Sequence, residues 1–355
     1  MAASTINDVA ALAGVSIGTV SNVINKKGNT SPKTEAKVYS AIKELNYIPN
    51  TLAKDLKTSK SKTIGIIAED VSAFMSGKII DGIASICEAH DYAVSLYNLR
   101  AEYRVDWNQA TPYEYLAKSE SFRKAIKVSV TNLLSSRIRG LIYIGIHPRD
   151  VAGLLPSLEI PVVYTYCFTK GQNDYCVNYD DYQGAKLAVD YLAEMGHRRI
   201  ALISGPIDSI PAHKRMKGYT ESLMVHDLTF DPAYVCTGNW HFEDGYRQCC
   251  HLLDMAVPPT AIFCMNDVMA FGALKACRER GIAVPEQLSI HGFDNLTASE
   301  FFSPALTTID ISLFQLGVET GKMLLNILLD KTVENRSVLV PCSHVLRSSA
   351  AQIAF

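Results

Sequence analysis

The sequence predicts a small all-α head of the helix-turn-helix type joined to an α/β core of two doubly wound subdomains. Residues 5–46 contain three short segments with helical apolar spacing, each preceded by a capping residue. From Thr63 onward, short apolar runs alternate with amphipathic stretches of helical length, which is typical of parallel sheets covered by helices. The sign of the net charge changes at the same boundary, since the part before Thr63 is basic and the remainder is acidic.

The N-terminal segment carries its helix signals in close succession. Thr5, with Asp8 three residues later, forms a capping-box start, and Gly14 can adopt the positive φ that ends a helix. Ser16 then caps a second helix that runs to about Asn25. Two short helices joined by a glycine turn are the arrangement in which the second helix enters the major groove of DNA.

A third helix begins at Ser31-Pro32, where serine caps and proline occupies the first helical position, and it continues to Asn46. Spacing alone is equally compatible with a helical bundle of another function. Residues 1–62 contain nine lysines, no arginine and four acidic residues, a net charge of +5, whereas the whole chain carries −2 and the remainder therefore −7. A basic head on an acidic body favours DNA binding, with a solvated lysine-rich surface as the alternative.

Length and composition limit the remaining classes. At 355 residues and 48% hydrophobic content the chain can form two or three domains. It contains no apolar run of about 18 residues and no signal-peptide pattern, so we expect a soluble, cytoplasmic protein without a membrane partner. Nine cysteines without a CxxC pair indicate reduced thiols, and nothing in the sequence predicts a cofactor.

Seven apolar runs predict strands of the core. About ten strands over nearly 300 residues suit two doubly wound subdomains better than one sheet. Ligands bind such folds at the carboxyl ends of the strands, so a cleft between the two halves is the expected site. The runs cover residues 63–68, 92–97, 141–146, 162–166, 200–204, 261–264 and 288–293.

Several motifs resemble the LacI/GalR family of bacterial transcriptional regulators. The head contains DVAALAGVS, TVSNVIN, SPKTEAKV and ELNYIPN, and the core contains MGHRRIALISGP, RMKGY, NDVMAFGAL, VPEQLSIHGFDN and PALTTI in the family's order. The resemblance implies a helix-turn-helix domain at 1–48, a hinge helix and linker at 49–61, and an effector-binding and dimerisation core at 62–355. This core would have the periplasmic-binding-protein-like type I fold. Its N-subdomain would cover about 62–164 plus 297–327, and its C-subdomain about 165–296 plus 328–355.

The same resemblance implies a ligand-responsive repressor. One head reads only half a site, so we expect a homodimer on a pseudo-palindromic double-stranded DNA operator. Closure of the core cleft on a small-molecule effector would change operator affinity. A sugar or sugar derivative is the first choice of effector, and carbohydrate-utilisation genes are the expected targets. Purine or nucleoside response and dependence on a protein co-repressor are alternatives within the same fold; a solute-binding protein without a regulatory role is a remote one.

Catalysis is not expected of this chain. His147, His197, His213, His241 and His291 are conceivable bases, but none lies in a nucleophile or metal-ligand motif. We therefore predict no enzyme activity, no catalytic residue and no metal ligand.

The second helix departs from the common family pattern at Asn22, where many members have arginine. Asparagine suits adenine or a phosphate better than guanine. Ile17 offers an apolar contact to a thymine methyl and Gly18 offers no side chain, so DNA shape would contribute to specificity. In the hinge, the resemblance implies that Leu56 wedges into the minor groove, with a flexible linker as the alternative. The predicted DNA-binding residues are Thr5, Ser16, Ile17, Gly18, Thr19, Ser21, Asn22, Asn25, Asn29, Thr30, Tyr47, Asn50, Ala53, Leu56 and Lys57.

The resemblance also implies an effector site in the core. Arg215 would hold effector hydroxyls or a carboxylate with its planar guanidinium, and Asp294 would accept ligand hydrogen bonds. Trp240 would stack on the ligand ring. A surface ion pair, an Asx turn and core packing are the respective structural alternatives. The predicted effector-binding residues are Phe74, Met75, Tyr166, Arg215, Trp240, Asn266 and Asp294.

Two features differ from the family. Ile144 and Tyr166 stand where one member has asparagine and aspartate, and this loss of polar partners favours a different, less heavily hydrogen-bonded ligand. Residues 99–118 form an insertion. We expect a surface loop there, with a lid or partner-binding loop as the alternative, followed by a helix that begins near Ser119 or Ser121 and ends at Ser135.

Overall fold

The computed structural model describes residues 4–25, 30–47, 61–104, 112–171 and 174–353, apart from the side chains of 112–114. The chain forms two compact units, Met1–Ser61 and Lys62–Phe355. Five predicted DNA-binding residues lie outside the described residues. They are Asn29, Asn50, Ala53, Leu56 and Lys57.

The head consists of three helices, α1 Ile6–Ala13, α2 Ile17–Ile24 and α3 Pro32–Glu44. The predicted capping box is present, since the carboxylate of Asp8 accepts the backbone N–H of Thr5 at 2.7 Å. Helical spacing places one apolar stripe of each helix inward. The resulting core contains Val9, Ala10, Ala13, Val20, Val23, Val38 and Ala41.

The first sheet of the core has six parallel strands in the order β11-β5-β4-β3-β1-β2. Strands β1 and β3 at its centre are almost entirely buried, as expected where helices cover both faces of a parallel sheet. The strands are β1 Thr63–Ala68, β2 Ala93–Asn98, β3 Gly140–Ile144, β4 Val162–Thr165, β5 Tyr175–Tyr179 and β11 Ser337–Val340.

The second sheet has four parallel strands in the order β7-β6-β8-β9. A short antiparallel pair, β10 with β12, lies outside both sheets. The strands are β6 Ile200–Ser204, β7 Val235–Thr237, β8 Ala261–Cys264, β9 Ser289–His291, β10 Thr308–Asp310 and β12 Ser343–Val345.

Helices connect the strands and pack in pairs. α4 packs on α12, α7 on α8, and α9 on α10. No helix in the described ranges combines the length and the apolar composition needed to cross a bilayer. The helices are α4 Ser76–Ala89, α5 Pro112–Lys118, α6 Glu120–Ser135, α7 Asp181–Glu194, α8 Ile210–Val225, α9 Phe242–Leu253, α10 Asp267–Glu279, α11 Ala298–Phe301 and α12 Leu313–Leu328.

The six-stranded sheet differs from the expected subdomain bounds. The sequence places 165–296 and 328–355 in the C-subdomain, yet β5 and β11 are strands of the first sheet. β11 is the edge strand of this sheet, and its apolar run of three residues is too short to be predicted as a strand. The pairing of β11 with β5 is a long-range contact that local sequence does not encode.

The insertion at 99–118 is more ordered than the loop predicted there. Its described part contains a 3₁₀ helix, Ala101–Arg104, and the helix α5. Leu116 is fully buried, and the carboxylate of Asp70 accepts the backbone N–H of Glu102 at 2.8 Å. Burial of apolar side chains therefore anchors the insertion to the core. The helix predicted after it is α6, and Ser119 caps it as expected.

Candidate effector site and DNA-reading surface

Carboxyl ends of strands supply most of the predicted effector residues. Tyr166 directly follows β4, Trp240 follows β7, Asn266 follows β8 and Asp294 follows β9. Because parallel strands all end at one edge of their sheet, side chains from distant parts of the chain meet there. Arg215 reaches the same region from α8.

Arg215 is buried and its guanidinium is bonded to the protein. Its Nε donates to Asp181 Oδ1 at 2.8 Å, and its Nη2 donates to the Tyr179 hydroxyl at 3.0 Å. Its Nη1 donates to the carbonyl of Met265. The guanidinium carbon lies 3.7 Å from the centre of the Phe293 ring. Asp181 and Tyr179 thus hold the predicted ligand-binding arginine from the side of β5.

Asp294 is also buried, but among the described residues its carboxylate has no cation at hydrogen-bonding distance to offset the cost of burial. Its Oδ1 lies 3.8 Å from Arg215 Nη2, a distance for an ion pair without close hydrogen bonding. Burial raises the pKa of Asp294 well above its ordinary value, and Arg215 opposes this rise. A buried carboxyl of this kind gains most from a ligand that donates hydrogen bonds to it.

Trp240 forms an aromatic wall beside Arg215. Its indole lies so close over Gly205 that a Cβ there would overlap the ring. The Arg215 guanidinium lies 5.6 Å from the indole centre, and the His147 ring centre lies 6.1 Å from it. The indole Nε1 is buried and has no hydrogen-bond acceptor in the part of the chain that the structure describes. Since indole nitrogen is a donor only, a ligand acceptor would satisfy it.

The side-chain amide of Asn266 is hydrogen-bonded within the protein. Its Oδ1 caps α10, and its Nδ2 donates to the carbonyl of Trp240 at 3.0 Å. The next residue, Asp267, is fully buried, and its carboxylate accepts from the backbone N–H of Leu296 and the hydroxyl of Ser299. Burial raises the pKa of Asp267 to about 6. Asn266 therefore orients Trp240 rather than presenting a free amide.

The remaining predicted effector residues differ in their surroundings. Tyr166 is buried, and its ring centre lies 5.4 Å from that of Tyr179. Met75 is buried in the core of the first sheet, whereas Phe74 is 46% exposed. The structure thus brings Tyr166 to the Arg215 cluster through Tyr179 and gives Met75 a packing role.

Sequence reasoning missed four side chains of this region, namely His147, Tyr179, Asp181 and Phe293. Phe293 could have been found, because it directly precedes Asp294 within the same motif. Tyr179 is the last residue of β5 and Asp181 is the first residue of α7, and none of the seven predicted apolar runs covers this strand. Their role follows only from the pairing of β5 in the sheet.

The predicted DNA-reading surface centres on the start of α2. Ile17 is 48% exposed, and Gly18 is exposed beside it. Asn22 is half-buried on the same helix. Base readout by these three residues stays a prediction.

Most other described candidates in the head make local hydrogen bonds. Thr5 donates to Asp8, and Ser16 caps α2. Thr30 donates to Glu35 at 2.9 Å. The remaining contacts are those of Ser16 with Thr19, Asn25 with the Ser21 carbonyl, and Tyr47 with the head core. These residues shape the reading surface, and contact with phosphates remains a prediction for them.

Two family models match this chain. The one described as bacterial regulatory proteins, lacI family, matches residues 5–50, and the one described as a periplasmic binding protein-like domain matches residues 189–350. The HTH-type transcriptional repressor PurR of Histophilus somni (strain 129Pt) is 32% identical over 348 residues, which cover 98% of both chains. The chain belongs to the lacI family of bacterial regulatory proteins. It is a DNA-binding transcriptional repressor of this family.

Further lacI-family relatives agree. The HTH-type transcriptional repressor CytR of Escherichia coli (strain K12) is 32% identical over 98% of this chain and 96% of its own length. A crystal structure of the lac repressor dimer bound to operator and the anti-inducer ONPF covers 99% of this chain and 100% of its own, with a TM-score of 0.79 and 29% identity. A CelR–cellobiose complex covers 98% and 99%, with a TM-score of 0.66 and 26% identity. The predicted helix-turn-helix head and periplasmic-binding-protein-like core are confirmed.

Proposed function

We propose that this lacI-family repressor binds a pseudo-palindromic operator as a homodimer and responds to a purine or nucleoside rather than to a sugar. The observation that carries the choice of effector is the composition of the candidate site, where flat aromatic surface is plentiful and most polar groups are already paired. The rings of Trp240, Tyr179 and Phe293 surround Arg215, and Tyr166 packs against Tyr179.

The hydrogen-bonding capacity left in the site supports a flat heterocycle. Arg215 and Asn266 are used by the protein. Among the described residues of the site, the Asp294 carboxyl can accept N–H groups and the Trp240 Nε1–H requires an acceptor. A base has a few edge donors and acceptors and two faces for stacking, whereas a sugar needs a partner for each of many hydroxyls.

The relatives support the same choice. Repressors named PurR match 92% to 98% of this chain at 32–34% identity, and this name supports purine response for the present protein. The CelR complex with cellobiose is a structural neighbour at 26% identity, so the sugar-responsive alternative is included in the test.

Thermal unfolding of the full-length protein tests the effector class. The probes are the four ribonucleosides, adenine, guanine, and a panel of mono- and disaccharides. We expect a rise in Tm with a nucleoside or base, because a ligand at 100 times its Kd adds about 2.7 kcal/mol of stability. A rise with a saccharide and none with any nucleoside or base would contradict the proposal.

Two variants locate the response. Asp294→Asn removes the carboxylate while keeping its volume, and we expect it to abolish the Tm shift. Asp330→Asn is the matched control, since Asp330 is exposed and its positive φ of 53° suits asparagine. An undiminished shift in Asp294→Asn would place the ligand elsewhere.

A further inference from the structure

His147 lies on a loop that is fixed to the first sheet. It follows β3, and Gly145 just before it lies so close to β4 that a Cβ there would be 2.6 Å from Cys167 Cβ. Glu69, which is fully buried, receives a bidentate pair from Arg149 at 2.7 and 2.8 Å and the backbone N–H of Ile146 at 3.0 Å. These bonds hold the loop on both sides of His147.

From this loop the imidazole reaches residues that belong to the second sheet. Its Nε2 lies 3.2 Å from the hydroxyl of Ser209, and its ring faces Trp240. Ser209 caps α8, the helix that carries Arg215. His147 therefore touches both the helix and the aromatic wall of the candidate effector site from the opposite side of the cleft.

The charges around His147 keep it neutral. Burial and the nearby guanidinium groups of Arg149 and Arg215 lower the pKa of His147 to about 3. A neutral imidazole has one donor and one acceptor nitrogen, so it can bond the Ser209 hydroxyl in either sense without bringing a third positive charge into the site.

We propose that His147 is a positioning residue that couples effector occupancy to closure of the cleft. It does so by joining the loop at 145–149 of the six-stranded sheet to Ser209 and Trp240 on the side of the four-stranded sheet. The inference rests on the proposed function, since it assumes that the effector stacks on Trp240. An effector that holds Trp240 in place favours the state in which His147 makes both contacts, and this differential stabilisation is what shifts a two-state equilibrium.

The contact can be tested without an effector. The chain has two tryptophans, so Trp107→Phe leaves Trp240 as the only indole fluorophore. In this background we expect His147→Leu to raise iodide quenching of Trp240, because loss of one average hydrogen bond increases an open population about fivefold. His147→Gln retains a donor near the Nε2 position, so its iodide quenching of Trp240 should stay close to that of the parent. His213→Leu, at an exposed position on α8, is the matched control.

The coupling is tested with operator DNA obtained by selection on the parent protein. The probe is whichever nucleoside or base raises the Tm of the parent most. We expect the ratio of DNA Kd values with and without this probe to move about fivefold toward unity in His147→Leu. The probe's own Kd should change less than this ratio. His147→Gln should restore the coupling.

The outcomes separate the two proposals. If no nucleoside or base binds the parent, the effector class is wrong, and the quenching of Trp240 still decides whether His147 closes the cleft. If the parent responds while His147→Leu shows the same quenching and the same coupling as His213→Leu, the role of His147 is overturned and the effector class stands.

Discussion

At Arg215, hydrogen bonds to Asp181, Tyr179 and Met265 use the guanidinium within the protein. Burial would lower the pKa of Arg215, but the oxygens of Tyr179, Asp181 and Asp294 raise it, so the guanidinium stays charged. Loss of ligand binding in an Arg215 variant would therefore not prove a direct ligand contact. The side chain has a structural role that can be measured separately.

Arg215→Met is expected to destabilise the core by about 3–5 kcal/mol at neutral pH, because it leaves buried carboxylates at Asp181 and Asp294 without their cation. The folded-state pKa of both carboxyls would rise further, so the folded protein would bind more protons than the unfolded chain. The deficit should accordingly shrink as the pH falls towards about 4. Urea unfolding between neutral pH and about pH 4 measures this deficit in stability, with exposed Arg198→Met as the control. A deficit independent of pH would contradict the explanation.

Gly205 is the residue that permits the indole of Trp240 to lie against the end of β6. Gly205→Ala would place a Cβ in the ring and displace it, so we expect a shifted Trp240 emission maximum and loss of the effector-induced Tm rise. The Cβ added by Gly77→Ala on α4 meets no atom within 4 Å. This variant should leave the emission maximum and the Tm rise unchanged. Effector binding of parental strength in Gly205→Ala would show that the indole position is not required.

Among the elements, α2 presents few polar groups for base recognition. Ile17 and Gly18 are exposed and Asn22 is half-buried, so hydrogen-bonding readers are sparse on this helix. The family arginine at the Asn22 position would add bidentate recognition of guanine.

Asn22→Arg is expected to change operator preference toward guanine at one position of each half-site, by about 1–3 kcal/mol. Binding-site selection with parent and variant reads this directly. Selection of the same guanine by the parent would contradict the interpretation of Asn22.

Strands β9 and β12 meet at a buried histidine, His291, and a half-buried one, His344. His291 Nδ1 donates to the carbonyl of Gly292 at 2.8 Å, so its Nε2 accepts from His344 Nε2 at 2.7 Å. Burial lowers the pKa of His291 to about 3 and that of His344 to about 4. Both imidazoles therefore stay neutral in the folded protein at pH values at which the unfolded chain binds protons. In the unfolded chain this protonation begins below about pH 6.5.

Stability should therefore fall as the pH drops below about 6.5, since the unfolded state binds the protons first. His344→Gln retains a donor near Nε2 and removes one titrating group, so its unfolding free energy should depend less on pH over this range. Urea unfolding at about pH 7.5 and 5.5 measures this pH dependence for His344→Gln and for exposed His251→Gln, the control. Equal pH dependence in the two variants would exclude the pair as the cause.

At the scale of the whole molecule, charge is divided between residues 1–62, with a net charge of +5, and the remainder, with a net charge of −7. Cationic surface near DNA releases counterions on binding, whereas acidic surface does not contribute to this release. DNA affinity should thus depend on salt through the head alone.

We expect the logarithm of the DNA association constant to fall linearly with the logarithm of salt concentration. Lys33→Gln in the head should reduce the slope by about 1 per head if this lysine contacts a phosphate. Lys331→Gln, exposed in the core, should leave it unchanged. Fluorescence anisotropy with one operator at several salt concentrations gives both slopes, and equal slopes in the two variants would remove Lys33 from the interface.

Local signals determined much of this protein. Capping residues at Thr5, Ser16 and Ser31 and apolar periodicity define the three head helices, because these interactions occur within one or two turns. The buried central strands of the core are readable for a similar reason, since each is a short apolar run. The family motifs supplied the order of these units and the positions of Arg215, Trp240 and Asp294.

Only the tertiary structure decided which groups of the site remain available to a ligand. Arg215 is held by Asp181, Asn266 is held by Trp240, and His147 crosses the cleft to Ser209. Each of these pairs joins residues far apart in the chain, and β5, which brings Tyr179 and Asp181 to the site, lies outside the seven predicted apolar runs. Hydrogen-bond partners are set by how strand ends converge in space, and local sequence does not contain that information.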